Sequence, residues 1–381
     1  MQNVDAAGLG IGDDYPPRIM GVLNVSEESP YDPSVFNDPG EAAAYVDAEL
    51  IDEGADIVDI GLESANKRFE VLSADAELDR LDTAVAAMES VSGDAVFSIE
   101  TRYHEVAAAA LDAGFDMVND ICGFADPEMP RVCAERDVAV AKMASPPDLE
   151  RPGAVEDVDD IYAALEREGL TDKTIVDPAF GGWSEQKTLD DDRETFDRLR
   201  EFRALDRPIL ISINRKNFLR DIADRSTEDA LPASLAATAI AVERGAHVVR
   251  THDVAETRDA ALVGDALARD RLRTTDGDVT VEELDVTTDR ELARHLARIG
   301  DDGTAGDGTT QVFELGGLSS AECDRLVAAA SGTGATVAGA PDDDRRLLFG
   351  TPTAIAAVAD GARGGSGSLD TVLATVARVV E

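Results

Sequence analysis

Between Arg18 and Arg269 the chain alternates a short apolar run with a longer amphipathic one, eight times over. The apolar runs are Arg18–Leu23, Asp56–Ile60, Ala95–Ile99, Met117–Asn119, Val138–Ala141, Thr174–Val176, Ile209–Ile213 and Val248–Thr251. They are rich in Val, Ile and Ala and mostly apolar at successive positions, as parallel strands covered on both faces are. The amphipathic runs are Glu41–Glu53, Ala74–Ser90, Tyr103–Ala113, Pro127–Arg136, Val155–Glu168, Asp190–Arg203, Thr227–Arg244 and Ala255–Arg269. Gly54, Gly114, Gly169 and Gly245 fall just past four of them, where a helix end takes a left-handed residue. Eight strand–helix units in about 250 residues match an α/β fold of one kind, the closed (β/α)8 TIM barrel. An open doubly wound sheet would usually carry a glycine-rich turn after its first strand, and GVLNVSEES has none.

The alternation stops near Arg269, and Arg271–Asp278 (RLRTTDGD) reads as a linker. The expected division is a barrel over residues 1–273 and a smaller C-terminal α/β domain over 274–381. In the latter, strands are expected at Val279–Asp285, Gln311–Glu314, Ala335–Ala338 and Arg346–Phe349. Helices are expected at Asp289–Ile299, Ser320–Ala330, Thr353–Ala359 and Asp370–Val380. This domain carries no catalytic constellation and reads as a packing or oligomerisation module.

Charge narrows the function. Against 78 acidic residues stand 35 basic ones, a formal net charge of −43. Such a surface repels nucleic acid and anionic membranes, so neither is an expected partner. Asp and Glu enrichment with only five lysines resembles proteins of salt-in halophiles, whose ions screen charge within about 3 Å at 1 M. The three cysteines, Cys122, Cys133 and Cys323, share no metal-ligand spacing, and a reduced cytoplasm is the expected location. The first residues lack the basic and apolar regions of a signal peptide, and no apolar run approaches a membrane span.

In a barrel, chemistry gathers where the strands end. Those ends carry Asn24; Glu63 and Ser64, with Lys67 and Arg68 beyond; Glu100 and Arg102; Asn119 and Asp120; Lys142; and Asp177. The last two carry Asn214, Arg215 and Lys216, then Arg250, His252 and Asp253. Lys67, Lys142, Lys187 and Lys216 all follow strands, and an ammonium is a compact donor for phosphate or a ring heteroatom. The loops after strands seven and eight, the usual phosphate site of the fold, would hold an anion with Arg215, Lys216, Arg250 and His252. The alternative is that Arg215 and Arg250 pair with Asp253, Glu256 or Asp221. Glu100, Asn119 and Asp177 suit the donor-rich edge of a flat heterocycle such as a pterin or guanine.

In order, the stretches IMGVLNVS (Ile19–Ser26), GADIVDIGLES (Gly54–Ser64), SIETR (Ser98–Arg102) and FDMVNDI (Phe115–Ile121) resemble dihydropteroate synthases. TIVDPAFGGW (Thr174–Trp183), NRK (Asn214–Lys216) and GAHVVRTHDVAET (Gly245–Thr257) extend the resemblance. It implies a transferase of folate biosynthesis that condenses 6-hydroxymethyl-7,8-dihydropterin diphosphate with p-aminobenzoate and releases diphosphate. By position it places Asn24 at a Mg²⁺, Arg250 and His252 on the diphosphate, and Glu100, Asn119, Asp177 and Lys216 on the pterin. Asn214 joins the substrate contacts, Ser64, Lys67 and Arg68 serve p-aminobenzoate, and Lys216, Arg250 and His252 are the catalytic set. It also implies a homodimer. The chain departs from the family pattern where an aspartate becomes Glu100, where the second loop reads SANKR, and where DPAFGGWS loses a glycine and a lysine. A related arylamine could therefore replace p-aminobenzoate. The competing readings are a pterin-dependent methyltransferase of the same superfamily and a pterin-binding protein without catalysis.

Overall fold

The structure is a computed structural model that describes residues 1–26, 34–63, 71–181, 186–276, 279–301, 305–340, 344–364 and 368–380. Contacts divide the chain into two compact units, Met1–Asp270 and Arg271–Glu381.

In the first unit, a short antiparallel hairpin pairs β1 (Val4–Ala6) with β2 (Leu9–Ile11). Eight parallel strands follow: β3 (Arg18–Asn24), β4 (Ile57–Gly61), β5 (Val96–Thr101), β6 (Met117–Asp120), β7 (Ala139–Met143), β8 (Thr174–Asp177), β9 (Leu210–Ile211) and β10 (Val248–Thr251). Each of β3 to β7 pairs with the next, β10 joins β3 to β9, and an isolated Val176↔Ile209 bridge closes the ring between β8 and β9. This is the expected (β/α)8 barrel. Alternation along the strands splits its core in two. Val58, Ile60, Ile99, Val118, Val140, Val176, Ile211 and Val249 face outward and pack with the helices. Met20, Ile57, Val96, Met117, Ala139, Ile175, Leu210 and Val248 face inward and fill the lower barrel, joined there by Val4, Ala6 and Ile11 of the hairpin. The sequence reading had nothing to say about that hairpin. Its apolar residues are too few to show a period.

Gly54, Gly114, Gly169 and Gly245 all have φ between 73° and 108°, the left-handed helix ends expected of them. Helix Asn217–Ala223 was not anticipated, because Arg220, Asp221 and Asp224 mask its short apolar face. The amphipathic run at Asp190 changes from α-helix (Leu189–Asp197) to a 3-10 stretch (Leu199–Leu205).

In the second unit, β11 (Arg273–Asp276), which lies inside the stretch read as a linker, pairs antiparallel with β12 (Val279–Glu282), which falls within the strand expected at Val279–Asp285. The sequence signal is there in hindsight: β-branched residues flank an Asp-Gly pair, which favours a hairpin. Strand β13 (Gln311–Leu315), β14 (Thr336–Ala338) and β15 (Arg346–Gly350) form an antiparallel sheet in the order β13-β15-β14. Leu315 and Leu348 of that sheet pack with Leu326, Ile355, Val358 and Leu373 of three helices, a core of its own. No helix of the described residues is long and apolar enough to cross a membrane.

Candidate active site

The inward-facing positions change character along each strand. Below they are apolar; two and four residues later they become Asp59 and Gly61 on β4, Ser98 and Glu100 on β5, Asn119 on β6, Asp177 on β8 and Arg250 on β10. Register sets Asn24, Gly61, Glu100 and Asn119 side by side on four neighbouring strands.

Arg250 reaches across this mouth. Its Nε donates to Asp59 Oδ2 at 2.8 Å and one terminal nitrogen donates to Glu100 Oε2 at 2.6 Å. Asn119 Nδ2 donates to the same Asp59 oxygen at 2.9 Å. Gly61 leaves the space above Asp59 open: a Cβ there would lie 3.4 Å from Asn24 Oδ1 and 3.7 Å from Glu100 Oε1. Asn24 gives its Nδ2 to Ser34 Oγ at 2.8 Å, which turns the carbonyl oxygen toward that space. Lys216 lies against Gly181 on the other side. The φ of Gly181 is 118°, and a Cβ would come within 2.9 Å of the Lys216 ammonium, so any side chain there would displace the amine.

Burial sets the protonation. It raises Glu100 to about 7, with Arg250 pulling the other way and Asp59 adding to the rise. It raises Asp177 to about 6 against the pull of the Ala179 amide, which donates to Oδ1 at 2.7 Å, and of Lys216 and Arg250. It lowers Lys216 to about 8, while Asp177 holds the charge on. His252 falls to about 3, through burial and then the nearby Arg250, so near neutral pH it is an uncharged imidazole rather than a second cation.

Not every strand-end residue points inward. Lys142 follows inward-facing Ala141, so parity sends it outward; its ammonium donates to the carbonyls of Leu165, Arg167 and Gly169 and sits 4.7 Å from the Phe124 ring centroid. Asp120, next to Asn119, likewise faces away and accepts from the Cys122 and Phe124 amides. Arg102 is 1% exposed and pairs with Glu63 at 3.0 Å. Lys187 is bound to Asp192 at 3.1 Å and to the Ala179 carbonyl at 2.9 Å. The lysines after the strands therefore do not converge; of Lys142, Lys187 and Lys216, one borders the mouth. Arg215 takes the alternative pairing, a two-pronged contact with Asp253 at 2.8 Å on each prong, and Asn214 Nδ2 donates to the same carboxylate at 2.8 Å. Arg250 avoids Asp253 and Glu256 for Asp59 and Glu100. Ser64, Lys67, Arg68 and Trp183 lie outside the described residues.

Residues 20–252 match the model of the family described as pterin binding enzyme. This chain belongs to that family. Among curated relatives of this pterin-binding enzyme, a probable bifunctional folylpolyglutamate synthase/dihydropteroate synthase of Haloferax volcanii is 38% identical over 281 residues, 69% of this chain and 32% of the relative. The chain thus spans about a third of that relative's length, as it does for a second of the same description from Halobacterium salinarum. The dihydropteroate synthase of Clostridium beijerinckii is 32% identical over 258 residues, 66% of this chain and 94% of the relative. Among solved structures, a Coxiella burnetii dihydropteroate synthase in complex with pteroic acid superposes with a TM-score of 0.58 at 28% identity, covering 69% of this chain and 98% of the other. A Thermus thermophilus dihydropteroate synthase in complex with 4-aminobenzoate gives 0.57 at 28% identity, covering 70% and 99%.

Asp59 is the residue the sequence reading overlooked in this pterin-binding enzyme. It is 0% exposed and accepts from two candidate substrate-binding residues at once. The available signal was a lone carboxylate inside the otherwise apolar run Ile57–Gly61.

Proposed function

We propose that this chain is a dihydropteroate synthase, joining a 6-hydroxymethyl-7,8-dihydropterin diphosphate to p-aminobenzoate or a related arylamine with release of diphosphate. The observation that carries the reading is the meeting of Glu100, Asn119, Asp177, Lys216 and Arg250 at one barrel mouth in a member of the pterin-binding enzyme family. The relatives named above as dihydropteroate synthases, and the neighbours solved with pteroic acid and 4-aminobenzoate, support it.

In this reading Asp177 and Asn119 take the amino and ring N–H groups of the pterin, and Glu100 lies beside them. Lys216 donates to the ring from the opposite wall. Arg250 receives the diphosphate, and neutral His252 donates an N–H rather than charge. The arylamine nitrogen forms a bond to the exocyclic methylene as the carbon–oxygen bond breaks. The electron pair leaves with diphosphate, and the amine proton passes to water. Positive charge developing on the methylene spreads into the electron-rich pterin, so no nucleophilic side chain is required. The work left to the protein is to orient two rings and stabilise a leaving polyanion.

Mg²⁺ fits this donor set. Asn24 Oδ1 is a hard oxygen donor turned into the mouth, and an ion that keeps most of its waters needs few protein ligands. Such an ion would neutralise diphosphate charge. Ser64, Lys67 and Arg68 are the residues we assign to the arylamine. A homodimer is supported by apolar residues left exposed on two neighbouring helices, Ile240 on one and Leu262, Val263 and Leu267 on the other. The buried free thiols and the acidic surface suit a reduced, salt-rich cytoplasm.

The test is incubation at high salt with the pterin diphosphate, Mg²⁺ and p-aminobenzoate. Diphosphate release that requires the arylamine is the expected result. Pterin binding without turnover would instead favour a binding protein.

A further inference from the structure

Asp59 sits one layer below the mouth, 0% exposed, between inward-facing Ile57 and the open Gly61. One of its oxygens, Oδ2, accepts from both Arg250 Nε and Asn119 Nδ2. The other, Oδ1, is buried and has no hydrogen-bond partner among the described residues. Its neighbour by register is Ser98, also 0% exposed, whose Oγ has none either. A buried carboxylate that uses half its acceptors is a poor device for stability, since desolvating the charge offsets the attraction it gains. What it does achieve is geometric. Arg250 arrives from β10 and Asn119 from β6, on either side of β4, and a single oxygen fixes both.

We propose that Asp59 is a positioning residue that holds the diphosphate arginine and the pterin amide in register with each other. This inference rests on the pterin-binding reading of the mouth. Without the carboxylate, Arg250 keeps only its Glu100 contact and swings about it, and Asn119 loses its anchor and turns its amide freely. Each ligand half would then meet a misplaced donor even though no residue touching it had changed. The signature is a double loss. Removing Asn119 alone weakens the ring, removing Arg250 alone weakens the anion, and removing the Asp59 charge weakens both.

The experiment is equilibrium binding of 6-hydroxymethylpterin alone and of inorganic pyrophosphate alone to the full chain at high salt, with turnover and thermal unfolding measured in parallel. Asp59→Asn keeps the shape and one oxygen but removes the negative charge that draws the Arg250 guanidinium and the Asn119 amide to it. Binding of both ligands is expected to weaken by about 10- to 100-fold, as for other residues that orient a contact rather than make it. Ser98→Ala, in the same layer and equally buried, is expected to leave both affinities and turnover unchanged. Asp59→Ser, a residue this layer already accommodates at position 98, carries the same expectation should the asparagine variant fail to fold. A folded Asp59 variant that binds both ligands like wild type, or loses only one, overturns the proposal. So does an equal double loss in Ser98→Ala, which would mean that any change in the layer is enough. Wild-type protein that binds both ligands but releases no diphosphate defeats the synthase reading and leaves the Asp59 comparison fully readable. Wild type that binds neither overturns both.

Discussion

The two ends of the barrel bury charge in opposite ways. At the floor, Asp13 uses both oxygens: His247 Nε2 meets one at 3.1 Å and Arg203 donates to the other at 2.8 Å. Burial alone would raise its pKa, but the His247 hydrogen bond and Arg203 hold it far below the usual carboxylate range. At the other end, Asp59, one layer below the mouth, leaves an oxygen unmatched among the described residues, and at the rim Glu100 stands near 7 and Asp177 near 6. The floor draws on a loop before β3, the 3-10 stretch and the residue before β10, whereas the mouth draws on the strands themselves. The floor's charges are satisfied by the chain itself, and the mouth's are satisfied only in part. Partial satisfaction is what a site that accepts a ligand requires, and it is carried at the expense of stability.

The comparison breaks most directly through the cations. Arg250→Ala or Lys216→Ala at the mouth is expected to lower turnover by roughly 10²–10³-fold, with circular dichroism unchanged. At the floor, Arg203→Ala is expected to cost about 3 kcal/mol of stability by leaving Asp13 with only its His247 contact, while the folded fraction turns over at the normal rate. Denaturant titration combined with initial rates separates the two; equal loss of activity in both would erase the distinction.

Gly181 sharpens the contrast within the mouth. Gly181→Ala is expected to lose about tenfold or more in turnover by moving the Lys216 ammonium, with a stability loss of about 1–3 kcal/mol from the positive φ.

Acidity gives a smaller, signed test. The folded pKa of Asp13 is depressed, so its stabilising contribution is complete above the unfolded value near 4 and disappears as pH falls below it. Glu100 and Asp177 are raised, so ionising them weakens the fold as pH climbs through about 6 and 7. Glu100→Gln should therefore melt higher than wild type at pH 8, by roughly 2–4 °C, and lose that advantage at pH 5, while its turnover falls. Pterin affinity in wild type should rise through the carboxylate range and decline above about 8 as Lys216 loses its proton. Last and smallest, removing residues beyond about Arg273 is expected to leave measurable turnover, because the second unit has a core of its own.

The barrel was readable because eight apolar runs at regular spacing leave little choice of architecture. The site was readable in its ends but not in its parity. Asn119 and Asp120 are adjacent, as are Ala141 and Lys142, yet a strand turns neighbours to opposite sides. A residue's rank in a strand therefore mattered more than its place at the end of one. Asp59 was hidden for the converse reason, being polar but two residues short of the rim. The pairing of Arg215 with Asp253 depends on tertiary distance, which spacing along the chain does not encode.

Val4, Ala6 and Ile11 stopper one end of the barrel, so the barrel of the first unit is a cup rather than a tube. Anything that reacts inside must enter and leave by one opening. Two reactants and two products would share that doorway, and whichever sits deepest is the last out. A heterocycle lodged against Asp177 and Asn119 would therefore have to load before its partner arrives, an order of traffic imposed by a dozen residues at the far end of the fold.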